Sequence, residues 1–332
     1  MKKWNYLCLL AALTALMGMA AFAVEEESLR YEEPQFISVF ASAPGGGMYN
    51  MAASIAPIWA DKGNIVASIG PGGSFSNYIA LSRGQTDIGF CHQCMHYWAD
   101  RGEGPFKEKI SGMSHLSTLF PATVQAYTVA GNTNIQTLAD VEGKSLALGP
   151  QGSALNIFIL DYLEVVYGIT PASITAAGGA ISFMSDSDMS AALADGIVDI
   201  GFGLGTYPKT SLQELENSPG IRLISLGEEG VRKYTDVNKG WDLFTIPANT
   251  YVGQDEDYVT ATSWAVMTVS DTMDEELAYR ITKTMWDDID VAGEACFEIR
   301  EFMRPETATA AQSGAPLHPG AIRYYKERGW LK

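Results

Sequence analysis

Two stretches of this chain repeat one another. Residues 80–90 read ALSRGQTDIGF and residues 192–202 read ALADGIVDIGF. The offset is constant: Leu193 minus Leu81, Gly196 minus Gly84 and Asp199 minus Asp87 each give 112. Solenoid units recur at roughly 20–50 residues. A period this long is the size of a small domain, so the chain is expected to be built as two related lobes.

The pattern around each copy is α/β. FISVFAS (36–42) reads as a strand, followed by the Gly-rich GGGMYN and a helix that stops near Gly63. IVASIGPGG is the next strand and turn, SFSNYIALSRGQ a helix with Ser74 as its expected N-cap, and TDIGFC a strand. The second half follows suit: KSLALG (144–149), a turn and helix in PQGSALNIFILDYLEVVYG, a helix in DSDMSAALADG, then VDIGFG. The repeated phrase is thus a helix end, a glycine in the left-handed cap, and the strand it feeds. LSTLFPATVQAYTVAGN (116–132) is apolar enough to cross between lobes. FTIPANTYVGQDEDYVTATSWAVMTVS (244–270) brings a long apolar strand with no partner left in the second lobe and reads as the return crossing. C-terminal helices near Glu275–Trp286 and Ala292–Met303 complete the first lobe. The expected division is lobe 1 at 36–123 with 255–332 and lobe 2 at 124–254, joined by a hinge of two crossing segments.

The N-terminus reads as an export signal. Lys2 and Lys3 precede an apolar run, and Ala21-Phe22-Ala23 is a small-x-small cleavage site. Residues 1–23 are therefore expected to be a signal peptide and 24–35 a flexible acidic leader. No later segment has 18 uninterrupted apolar residues, so a soluble periplasmic protein is expected. Removing Lys2 and Lys3 takes the formal charge from −17 to −19. Such a surface repels nucleic acid and anionic lipid. The mature chain keeps Cys91, Cys94 and Cys296, too few for a disulfide scaffold.

Three Gly-rich loops run into helices: APGGGMYN (43–50), GPGGSFSN (70–77) and GPQGSALN (149–156). Helix N-termini offer unpaired N–H groups and the positive end of the dipole, which suits carboxylate or phosphate. None is a Walker loop or a dinucleotide fingerprint. Three such loops at strand ends in facing lobes mark a ligand cleft. CHQCMH (91–96) admits a metal site, a Cys91–Cys94 bridge or an ordinary helix start, and the last reading is preferred. No nucleophile elbow is present.

In GGGMY, GGSFSN, LADVEGKSLALGPQGSALN, the two repeat phrases and PLHPGAIRYYKERGW, the chain resembles the TAXI branch of the TRAP-transporter solute-binding proteins. That resemblance implies a two-lobed type II periplasmic-binding-protein fold with the ligand cleft between lobes. It implies capture of a small organic acid and delivery to TRAP membrane permease subunits. The solute would be glutamate-like, 2-oxoglutarate-like or a more apolar monocarboxylate, and the protein a monomer without cofactor, metal or catalytic residue. Carried onto this sequence, the lining is Gly47, Met48, Tyr49, Ser74, Asn77, His92, Gln93, Gln151, Gly152, Ser153, Ala154, Asn156 and Tyr207. Met48 and Leu155 stand where the resembled family has hydroxyl side chains, and this favours a ligand with a larger apolar body. Arg83, Arg101, Arg222 and Arg323 are expected outside the cleft. The alternatives are a ligand sensor for a receptor kinase and a periplasmic enzyme using Cys91 and His92.

Overall fold

The computed structural model describes residues 31–217, 219–311 and 316–332. The expected signal peptide and most of the acidic leader lie outside the described residues. Tyr31, still in the leader, is held: its N–H donates to Gly63 O (3.1 Å) and Arg280 stacks 4.3 Å over its ring.

Alternating burial from Gln35 makes the first strand, β1 (Gln35–Phe40). β2 (Ile65–Gly70) and β3 (Ile88–His92) lie parallel to it on either side. β4 (Met113–Val129) is the apolar segment expected to cross, and almost every residue in it is buried. β5 (Ser145–Leu148) then stands between parallel β6 (Ala180–Phe183) and β7 (Ile200–Gly205). Short β8 (Ile221–Leu223) and β9 (Asp242–Ile246) pair with the crossing strands, and β10 (Tyr258–Ser270) is the return crossing. The sheet path is β2-β1-β3-β10-β4-β7-β5-β6. Each half is thus a parallel triplet closed by one of the two shared strands.

Strand direction fixes where the halves meet. β10 runs antiparallel to β3, and β4 antiparallel to both β10 and β7. The C-terminal ends of both triplets therefore point at the middle of the crossing pair. His92 ends β3 opposite Ala265; Gly205 ends β7 opposite Thr123, which itself faces Thr262. Ligands of open α/β sheets bind outside such carboxyl ends.

The repeated phrase does one mechanical job twice. Gly84 (φ +66°) and Gly196 (φ +70°) both take the left-handed cap. Asp87 Oδ2 accepts from Ser38 N (2.7 Å) and Ser38 Oγ (2.8 Å). Asp199 Oδ2 accepts from Ser145 N (2.8 Å). Each aspartate thereby clamps the third strand of its lobe to the first. The glycine two residues on admits a neighbour: a Cβ at Gly89 would sit 2.7 Å from Leu81, and at Gly201 2.6 Å from the Tyr127 ring.

The crossing strands have two unlike sides, because successive side chains alternate. Ala122, Val124, Ala126, Ala261 and Ala265 enter apolar cores. On that side Ser263 Oγ accepts from Cys94 N (3.0 Å), which seats the helix Gln93–Ala99. Trp241 bridges from this helix to Phe158, the latter ring pair 4.3 Å apart, so one apolar core runs beneath the joint. The other side carries Thr123, Gln125, Thr260 and Thr262, all essentially buried. Among the described residues no helix is long and apolar enough to cross a membrane.

Candidate functional site

The polar side of the crossing pair is where both lobes bring their strand ends. Gln125 is closed off within the protein: its Nε2 donates to Thr123 Oγ1 (3.1 Å) and Thr206 O (3.2 Å), and Tyr251 OH donates to its Oε1. Asp242 lies opposite Thr262, in the same register row as Thr123 and Gly205. Gln93 Nε2 reaches its carboxylate at 3.4 Å, and the Trp264 indole donates to it as well. Burial pushes the Asp242 carboxyl up from its ordinary range, and those two donors and Lys239 hold the rise back. An aromatic chain runs past it from one lobe to the other. Trp264 meets Phe244 (centroids 6.3 Å), Phe244 meets Tyr207 (5.6 Å), and Tyr207 meets Phe302 of the C-terminal part (5.4 Å).

A helix start follows a strand end in each lobe. The helix Ser74–Ser82 is capped by Gly73 rather than by Ser74. Ser74 is freed to bond His92 Nδ1 through its Oγ at 2.7 Å, so these two expected residues do come together. Burial drives the His92 imidazole down to about 4, so it is neutral at pH 7. Ser153 caps the helix Ala154–Tyr162, its Oγ accepting from Asn156 N (3.3 Å), and Gly152 makes the preceding turn at φ +78°. Gln151 is exposed in that turn and Ala154 is buried. The first four N–H groups of such helices have no partner within the helix.

Several expected residues have other work. Asn77 is fully buried, and its Nδ2 donates to Phe40 O, Ala41 O (2.7 Å) and Phe90 O (2.8 Å). It ties the ends of β1 and β3 to the loop, leaving no donor for a solute. Met48 packs in the lobe 1 core and Leu155 in the core beneath the joint. The preference for a larger apolar body rested on these two side chains facing the cleft, and it falls with them. The first Gly-rich loop has a carboxylate of its own: a Cβ at Gly47 would lie 2.5 Å from Glu298 Oε1. Tyr49 is partly buried on the same core, its N–H bonded to Ser42 Oγ (3.1 Å). Asn156 matches Asn77 in place but not in bonding, since its Nδ2 is buried without a protein partner.

The four arginines are engaged elsewhere. Arg83 caps the far end of its helix, Arg101 stacks 3.8 Å over Tyr97, and Arg323 pairs with Glu276. Arg222 donates to Asn132 O (2.7 Å) and Ile135 O, and lines a separate cavity of about 570 Å³. The CHQCMH segment is the end of β3 and the start of a helix. Cys91, Cys94 and Cys296 are free buried thiols, and burial pushes Cys91 and Cys94 up to about 12. Among the described residues no group of three or more His, Cys, Asp or Glu is gathered for a metal.

Sequence reasoning missed Asp242, Phe244 and Trp264. A signal was present: Thr260, Thr262 and Trp264 alternate with the small residues Ala261, Ser263 and Ala265 along β10, as Thr123 and Gln125 alternate with Ala122, Val124 and Ala126 along β4. That alternation marks a strand pair with one polar side.

The fold is α/β and two-lobed, and solved structures share it. XAC2383 from Xanthomonas citri, solved bound to ATP, superposes with a TM-score of 0.50 at 15% identity, over 88% of this chain and 95% of that one. The periplasmic aliphatic sulphonate binding protein SsuA from Escherichia coli gives 0.46 at 15% identity, over 88% and 79% of the two chains. An ancestral arginine-binding protein bound to arginine gives 0.45 at 15% identity, over 78% and 96%. The sequence itself is matched across residues 40–329 by the NMT1-like family, and the chain belongs to that family.

Proposed function

We propose that this chain is an extracytoplasmic receptor for a small carboxylate-bearing solute, which it clamps between its lobes and delivers to a TRAP-type ion-coupled permease. The observation that carries this reading is the convergence of the two strand triplets on one polar stretch of the shared strands. His92 and Gly205 end their strands within three register positions of each other along β10. Helix N-termini at Ser74 and Ala154 open from the two lobes toward that stretch, each with N–H groups to offer an anion. Of the three Gly-rich loops, these two are the ones proposed to hold the carboxylate, because Glu298 already fills the space beside Gly47 with like charge. Ser74, His92, Gln93, Gln151, Gly152, Ser153 and Tyr207 remain the proposed lining.

Binding would act by population shift, since contacts to both lobes exist together only in the closed form. The enzymatic alternative is weakened by its own residues. A thiol pushed up to about 12 and an imidazole pushed down to about 4 are a poor nucleophile and a poor base at pH 7.

The test is a thermal-shift panel on protein unfolded and refolded to strip bound solute. Glutamate, 2-oxoglutarate and short, branched and aromatic acids form the panel. A ligand at 100 times its dissociation constant adds about 2.7 kcal/mol, several degrees at this size. A shift from at least one acid is expected; silence from all of them contradicts the reading. A permease gene beside this one supports the TRAP partner, and a histidine kinase gene in its place supports the sensor.

A further inference from the structure

At the bottom of the proposed cleft the acceptors have no ion-paired cation among the described residues. Asp242 forms no ion pair among the described residues; its two donors are the Gln93 amide and the Trp264 indole, both neutral. The ammonium that acts on Asp242 from a distance, Lys239, is bonded to Thr235 O (3.1 Å) and lies 3.8 Å from Asp236. Gln93 is essentially buried, and its Oε1 has no hydrogen-bond partner in the protein. A buried acceptor left empty costs about 1–3 kcal/mol, and a half-buried carboxylate without a cation adds to that burden. Trp264, whose N–H edge meets Asp242, leads on to the rings of Phe244 and Tyr207. Ring faces carry negative quadrupole and attract cations.

We propose that Asp242, with Gln93 Oε1 and the Trp264–Phe244 rings, forms a subsite for an ammonium group on the solute. This rests on the receptor reading above and adds a second charge to the solute it names. A carboxylate alone has no reason to enter this end of the cleft, where it would meet Asp242. A divalent metal fits poorly beside one carboxylate and aromatic walls. An ammonium offers donors to Gln93 Oε1 and to the remaining lone pairs of Asp242, and a cation to the rings.

The experiment compares matched probes by calorimetry on stripped protein: glutamate with glutarate, leucine with 4-methylpentanoate, phenylalanine with 3-phenylpropanoate. Among the pairs that bind, the amine-bearing member is expected to bind at least about 30-fold tighter, the effect of truncating one side of a buried charge pair. Asp242→Asn is expected to erase that preference, chiefly by weakening the amine-bearing member of each pair. Phe244→Leu, a milder change, is expected to reduce it. Equal binding within each pair, or a preference that survives in Asp242→Asn, overturns the inference and leaves the carboxylate reading intact. Binding of 3-methylbutylamine as tight as that of leucine does the reverse: the ammonium subsite stands and the carboxylate reading fails.

Discussion

Residues 73–77 and 152–156 are the same turn built twice, Gly-Ser-x-x-Asn at the start of a helix, once in each lobe. In lobe 1 the turn is closed. Asn77 Oδ1 accepts from Gly73 N (3.2 Å), and its Nδ2 satisfies three carbonyls at the ends of β1 and β3. In lobe 2 the same asparagine accepts from Gly152 N at 3.4 Å, and its Nδ2 has no protein partner. The cap differs too: a glycine opens the first helix and frees Ser74 for His92, whereas Ser153 caps the second itself. A duplicated scaffold can keep its strand clamps and still differ where the lobes face each other. The clamps at Asp87 and Asp199 are alike; the residues beyond the strand ends, His92-Gln93 in one lobe and Thr206-Tyr207 in the other, are not.

The largest test of this asymmetry uses acid. All four histidines fall in the lobe 1 part of the chain. Burial drives His96 down to about 3, with His115 contributing, and His92 to about 4. Both folded values lie below the ordinary 6.5, so the unfolded chain takes up these protons first. The stability is therefore present above pH 6.5 and is lost as pH falls toward 4. The expected slope is up to about 1.4 kcal/mol per pH unit for each histidine, read from urea midpoints at pH 7, 6 and 5. His96→Gln should flatten that slope, and an unchanged slope would show that the imidazole is not held neutral.

Next in size is the asparagine pair. Asn77→Ala strands three carbonyls and is expected to cost about 3 kcal/mol, whereas Asn156→Ala, with no donated bond to lose, should cost about 1 kcal/mol. Equal costs would break the contrast between the turns. The repeat glycines sharpen it on a smaller scale. Gly201→Ala drives a methyl into the buried Tyr127 ring and is expected to cost about 2–3 kcal/mol. Gly89→Ala meets only the end of Leu81, which can turn away, for about 1 kcal/mol. The smallest effect concerns the clamps. Asp87→Ala and Asp199→Ala should each cost about 1 kcal/mol because both sit near solvent, and a gap above about 1 kcal/mol between them would show that the clamps are not equivalent.

Much of this was legible in the chain. The 112-residue offset foretold two like halves, and the segments at 116–132 and 244–270 foretold both crossings, the second of which is confined to Tyr258–Ser270. The site was harder to read, because a residue's type does not say which way it points. Asn77 looks like a solute donor and serves the backbone. Met48 and Leu155, each the second residue of the helix its loop runs into, turn into the cores. Asp242 stands in a stretch where the strand–helix alternation loosens. Its importance comes from β9–β10 register, which sets it opposite Thr262, and register across about 20 residues of chain cannot be read from local pattern.

The most direct test of the clamp is solution X-ray scattering on stripped protein, titrated with the acid that gives the largest thermal shift. Closure of the lobes on the solute predicts a radius of gyration that falls as binding saturates and recovers when the solute is dialysed away. Saturating binding with an unchanged scattering profile would contradict the clamp and leave a rigid, pre-closed site in its place.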